Sequence, residues 1–107
     1  MITGEKFMEL ALSFPGTVQK LHFERTGFSV IRKRMFATYL AKNNTANIFL
    51  TPKEQTVFCK MDIKNIYPVP NKWGEKGATT FELDKVSKEF ILEALLSAYN
   101  DVLKQKK

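Results

Sequence analysis

The sequence predicts an α+β fold of two layers, one antiparallel sheet packed by helices. Three observations lead there: an apolar helical stripe opens the chain, short runs with alternating character follow, and a long amphipathic helix closes it. The expected order is helix, three or four strands, helix, one or two strands, helix. No repeat, low-complexity tract or linker divides the 107 residues, so 1–107 read as a single domain.

Phe7, Leu10, Ala11 and Phe14 fall at i, i+3, i+4 and i+7 and give the first helix its apolar face, with Thr3 as N-cap and Glu5 near the positive end. Pro15-Gly16 ends it. Four alternating runs come next: Val18 to Phe23, Phe28 to Arg32, Met35 to Leu40 and Asn47 to Leu50, which should pair as an antiparallel meander. In the third, Phe36, Thr38 and Leu40 are expected to oppose Met35, Ala37 and Tyr39; in the fourth, Ile48 and Leu50 oppose Asn47 and Phe49. Lys42-Asn43-Asn44-Thr45 reads as a turn, because asparagine tolerates the left-handed region. Thr51, Pro52 and Glu54 spell a capping box for a second helix that ends near Met61.

Tyr67 to Gly77 holds two of the four prolines, two of the five glycines and the sole tryptophan, and reads as a shaped loop. A strand from Ala78 to Leu83 follows. The last helix should run from about Ser87 to about Gln105, burying Ile91, Ala94, Leu95, Ala98, Tyr99 and Val102. Lys104, Lys106 and Lys107 suit its negative end.

The chain is 44% hydrophobic and 26% charged, ordinary globular usage with enough length for a core without staples. Cys59 is the only cysteine, which excludes an intrachain disulfide and fits a reducing cytoplasm. With no targeting segment and no apolar run of membrane length, the expectation is a soluble cytoplasmic protein that does not engage a membrane. The formal net charge of +6 is unevenly placed: Lys20 to Lys76 carries 11 Lys or Arg against 4 Asp or Glu, and the flanks carry 6 against 7. Such an excess serves solubility alone or an anionic partner.

Leu10-Ala-Leu-Ser-Phe-Pro-Gly16, His22-Phe23, Met35-Phe-Ala37, Tyr67-Pro-Val-Pro70, Trp73-Gly74 with Gly77, and Ala98-Tyr99 together resemble the MmcQ/YjbR family over nearly the whole chain. The resemblance implies an antiparallel two-layer fold similar to secretion-chaperone folds. It also implies a mostly bacterial, cytoplasmic family described as binding DNA through a double-wing motif, with no catalytic set to transfer. One departure stands out: relatives often place glycine in the turn between the second and third strands, where this chain reads Val30-Ile-Arg-Lys-Arg-Met35. A tight type I′ turn would be strained there, so a longer or bulged connection is expected, with Arg32, Lys33 and Arg34 at its tip.

Three cations on a stiff hairpin suit phosphates, or they merely protect an edge from aggregation. Lys72 and Lys76 flank Trp73, whose indole stacks on a base or packs inward as a core anchor; packing is the expectation. Gly74-Glu-Lys-Gly77 matches the GXXG clamp of KH domains only superficially, since it joins a loop to a strand. His22, the sole histidine, reads more readily as a structural group than as a general base. No zinc or calcium pattern, dinucleotide fingerprint or phosphate-binding loop is present, so no metal or cofactor is expected. Glu24, Glu54, Asp62, Glu75 and Glu82 lie on different elements, and their convergence is left open.

Three function classes follow. The first is a non-enzymatic module binding double-stranded DNA with weak sequence preference through Arg32, Lys33, Arg34, Lys72 and Lys76. The second is a protein- or peptide-binding module using a sheet edge or the helix-free face. The third is a small-ligand binder or enzyme with a pocket near His22 and Trp73.

Overall fold

In the computed structural model, which describes residues 2–22 and 24–104 and of His22 only the backbone, ten elements follow one another. They are α1 (Gly4–Leu12), β1 (Thr17–His22), β2 (Arg25–Val30), β3 (Met35–Leu40), β4 (Thr45–Phe49), α2 (Pro52–Met61), β5 (Ile66–Pro68), α3 (Lys72–Glu75), β6 (Ala78–Glu82) and α4 (Lys88–Lys104). The strands form a six-stranded antiparallel sheet in the order β1-β2-β3-β4-β6-β5. The expected α+β, two-layer class is therefore the observed one.

The helix signals act where the sequence carries them. Thr3 Oγ1 accepts from the Lys6 amide at 3.1 Å. Both halves of the capping box form: the Glu54 amide donates to Thr51 Oγ1 at 3.1 Å and the Thr51 amide to Glu54 Oε1 at 3.0 Å. The six α4 residues expected to be buried are its buried residues. Asn44 adopts a φ of 53°, the left-handed conformation its turn requires.

α1, α2 and α4 cover one face of the sheet. On it Phe7 meets Phe28 at 5.9 Å between ring centroids, Phe36 meets Tyr99 at 5.8 Å and Phe58 meets Phe81 at 6.0 Å. These edge-on aromatic pairs add directional contact to the apolar burial that drives the packing. The end of α1 is tied to α4 by Phe14 stacked on Tyr99 at 4.8 Å and by the Tyr99 hydroxyl, which donates to the Pro15 carbonyl at 2.6 Å. Gly16 turns the chain with φ +77°, and its carbonyl accepts from the Ile31 amide at 2.8 Å, anchoring the base of the β2–β3 hairpin.

The structure departs from expectation at several points: β4 already begins at Thr45, inside the expected turn, and α1 ends at Leu12, ahead of Phe14. Residues 66–68 form a strand and 72–75 a helical turn within the segment read as a loop. β2 begins at Arg25 and ends at Val30 rather than spanning Phe28 to Arg32. The simple alternation expected of β3 is broken, because the register passes from Phe28↔Ala37 to Ser29↔Met35 and leaves Phe36 as an extra residue. Phe36 and Ala37 are consequently both fully buried, while Met35 and Thr38 share the opposite face. The β2–β3 connection is the longer, bulged kind: the Lys33 amide donates to the Val30 carbonyl at 2.8 Å and Arg32 takes a φ of 66°.

The two glycines of the 67–77 segment have different tasks. A Cβ on Gly74 would overlap the Val69 carbonyl, and Gly77, at φ +118°, sits where a Cβ would overlap the Leu50 carbonyl. Gly77→Ala is therefore expected to destabilise the fold by about 2 kcal/mol or more, measured as a lower urea midpoint with an unchanged m-value.

Candidate binding site on the open face of the sheet

The pairing register fixes what the uncovered face displays. Phe28, Ala37, Ile48 and Thr79 form one row on the helix side, so the adjacent row of Gly27, Thr38, Asn47 and Thr80 faces away from it. Over one end of this open face folds the segment from Val69 to Trp73, and between segment and sheet lies a cavity of about 540 Å³. Met35, Phe49, Val69, Trp73 and Ala78 give it apolar surface. Arg25, Arg34, Thr38, Asn47 and Asn71 supply the polar groups.

Local hydrogen bonds hold several of these. Arg25 Nη1 donates to Thr38 Oγ1 at 3.3 Å, and Asn47 Oδ1 accepts from the Thr80 hydroxyl at 2.7 Å. Asn71 caps α3, its Oδ1 accepting from the Trp73 amide at 2.8 Å. Gln55 of α2 reaches across to donate its side-chain amide to the carbonyls of Gly74 and Ala78, at 2.9 and 3.0 Å. Helix α2 on one side of the sheet thus pins the segment that walls the cavity on the other.

The β2–β3 hairpin and the α3 segment reach the same end of the sheet. Arg34, Trp73 and Lys76 line a second depression of about 280 Å³ there, together with Phe49, Leu50 and Ala78. Lys76 Nζ lies 5.6 Å from the centre of the Trp73 ring, a cation–π geometry. Arg32 and Lys33 are exposed in the hairpin turn and Lys72 is exposed on α3. Trp73 is 64% exposed, against the expectation of a core anchor: the turn held by Gly74 directs the segment over the open face, and the apolar core is completed without the indole. His22 ends β1 opposite Arg25, at the far end of that strand from the hairpin, and its side chain lies outside the described atoms. Sequence reasoning missed Arg25, Thr38 and Asn71 as cavity residues; an Asn-x-Trp step after Pro70 was the available capping signal for the last.

Two carboxyls do converge, Glu54 with Asp101. Burial, then the hydrogen bond with Glu54, then its charge push Asp101 above the usual carboxylate range, while Lys104 and Arg34 oppose the shift. Arg34 therefore has an acid nearby. Asp101 Oδ2 is buried without a hydrogen-bond partner. Tyr67 donates its hydroxyl to Glu82 at 2.7 Å; that bond first, then burial and the Glu82 charge, push its pKa up to about 12. Burial raises the Cys59 thiol, which disfavours the nucleophilic thiolate. Among the described residues no three His, Cys, Asp or Glu side chains gather to hold a metal ion, and no helix is long and apolar enough to cross a membrane.

Sheet order and helix placement define an α+β protein with an open six-stranded antiparallel sheet, one face under helices and the other carrying a cavity. The same fold occurs in the Deinococcus radiodurans protein DR2400, which carries the family-model domain DUF419: the TM-score is 0.82 at 22% identity, over 98% of this chain and 81% of that one. No family model and no curated protein matches the chain.

Two titrations have a defined sign. Because the folded state raises the Asp101 pKa, its ionised form is disfavoured at neutral pH; the stabilising effect of that shift is complete below the unfolded carboxylate range and is lost as pH rises through the folded value. Asp101→Asn should therefore raise the urea midpoint at pH 7, with the gain vanishing in acid. For Tyr67 the window lies between the unfolded value near 10 and the folded value near 12. Wild-type stability should fall across it, and Tyr67→Phe should show a shallower fall in the same denaturation series.

Proposed function

We propose that this chain is a non-enzymatic, cytoplasmic nucleic-acid-binding domain of the MmcQ/YjbR kind, gripping duplex DNA with little sequence preference through Arg32, Lys33, Arg34, Lys72 and Lys76. The observation that carries this reading is the convergence of two separate basic loops on one end of the sheet, where Arg34, Trp73 and Lys76 border one depression. The central charge excess and the family resemblance of the motifs support it as well. Phosphates are the natural targets of such groups, and phosphate contacts position a protein without reading sequence. Base readout would be limited, because α1, α2 and α4 pack on the covered face and the basic loops present a hairpin and a single helical turn instead.

A peptide-binding reading has one observation in its favour. β1 is an edge strand, and Val18 and Leu21 on it are 43% and 77% exposed, a strand open to pairing with an extended segment.

Titration of a short DNA duplex at several salt concentrations separates the two. The phosphate reading expects affinity that falls steeply with salt, and an Arg32→Ala, Lys33→Ala, Arg34→Ala triple variant that binds at least tenfold more weakly, with a log–log salt slope shallower by about 2 to 3. Equal binding by the folded variant, or no binding at low ionic strength, would end it. Salt-insensitive capture of an extended peptide, lost when Leu21 becomes lysine, would favour the edge strand.

A further inference from the structure

The open-face cavity presents a one-sided set of hydrogen-bonding groups. The oxygen of Asn47 is taken by the Thr80 hydroxyl and that of Asn71 by the Trp73 amide, so each side chain has its NH₂ left to offer. The other side-chain nitrogen groups in the wall are the guanidiniums of Arg25 and Arg34 and the indole N–H of Trp73, which only donate, and Thr38 Oγ1 already accepts from Arg25. No Asp or Glu is among the described residues that line the cavity. Beside these donors lie the indole of Trp73, the ring of Phe49 and the thioether of Met35, surfaces suited to the face of a flat ring. The volume of about 540 Å³ lies within the range of small-molecule sites.

We propose that this cavity binds a small planar aromatic anion, its ring against Trp73 and Phe49 and its acceptor oxygens facing the Asn47 and Asn71 amides and the two arginines. The chemistry is that of a ring carrying a phosphate or a carboxylate, as in a nucleoside monophosphate or an aromatic acid. A cation would meet two guanidiniums with no Asp or Glu among the described lining residues, and an uncharged ring would leave the Arg25 guanidinium with a neutral hydroxyl, Thr38 Oγ1, as its partner. The site shares Arg34 and Trp73 with the DNA reading but does not rest on it, since Arg25, Asn47 and Asn71 lie outside the basic loops' set.

Two conservative variants test it. Asn47→Asp keeps an acceptor for the Thr80 hydroxyl, and Asn71→Asp keeps the cap on the Trp73 amide. Each replaces a donor by a negative charge. The ¹⁵N-labelled protein is titrated with adenosine 5′-monophosphate, 2-naphthoate and adenosine, following the indole Nε1–H of Trp73 and the side-chain amide of Asn47. At least one of the two anions should shift both signals saturably, and each variant should weaken that binding at least tenfold. Response to the nucleotide alone selects phosphate, to 2-naphthoate alone carboxylate, and to both a general aromatic anion. No saturable shift, adenosine binding as tightly as the anions, or unchanged affinity in both folded variants would overturn the proposal. Failure of the duplex titration with the anion shifts intact would leave this site standing alone.

Discussion

The open face depends on backbone pressed against backbone at two glycines. Gly77 lies against Leu50, whose amide donates to the Gly77 carbonyl at 3.1 Å, and Gly74 lies against Val69. A side chain at either point would hold the chains apart, and the Gln55 amide could not then bridge Gly74 and Ala78. The wall of the cavity and the placement of Trp73 follow from that approach. The helical side of the sheet has its own fastening in Phe14, Pro15 and Tyr99, which joins the exit of α1 to α4 beside the hairpin base.

Much of this fold was legible because its signals are local. The α4 stripe and the Thr51-Pro52-Glu54 cap act within one element and form as read, while α1 buries Phe7 and Ala11 as expected but ends at Leu12, ahead of Phe14 and the Pro15-Gly16 step. What was not legible depends on partners far away. β5 is three residues long and exists because Ile66 and Pro68 face Phe81 and Thr79 across the sheet. The Phe36 bulge exists because Phe14 and Tyr99 draw its ring to the helix side, which no spacing within Met35 to Leu40 records.

The candidate site divides the same way. Asn47 and Phe49 were readable as face-mates from alternation, and both line the cavity. Trp73 was misread because tryptophan usually supplies core area, whereas here Phe7, Phe28, Phe36, Phe58, Phe81 and the apolar residues of α4 already fill that role. Arg34 stands where the two surfaces meet: close enough to Asp101 to oppose the rise in its pKa, yet part of the wall of both depressions. Its charge is thereby partly compensated, so the cationic character of that end rests more heavily on Lys72, Lys76, Arg32 and Lys33.

The exposure of the one indole has a spectroscopic consequence. Its emission should already be that of a water-facing chromophore in the native protein, so unfolding will change it little. The phenylalanine and tyrosine rings locked around Phe36 and Tyr99 carry the optical asymmetry of the interior instead, and near-ultraviolet dichroism at their bands is the signal that tracks loss of packing.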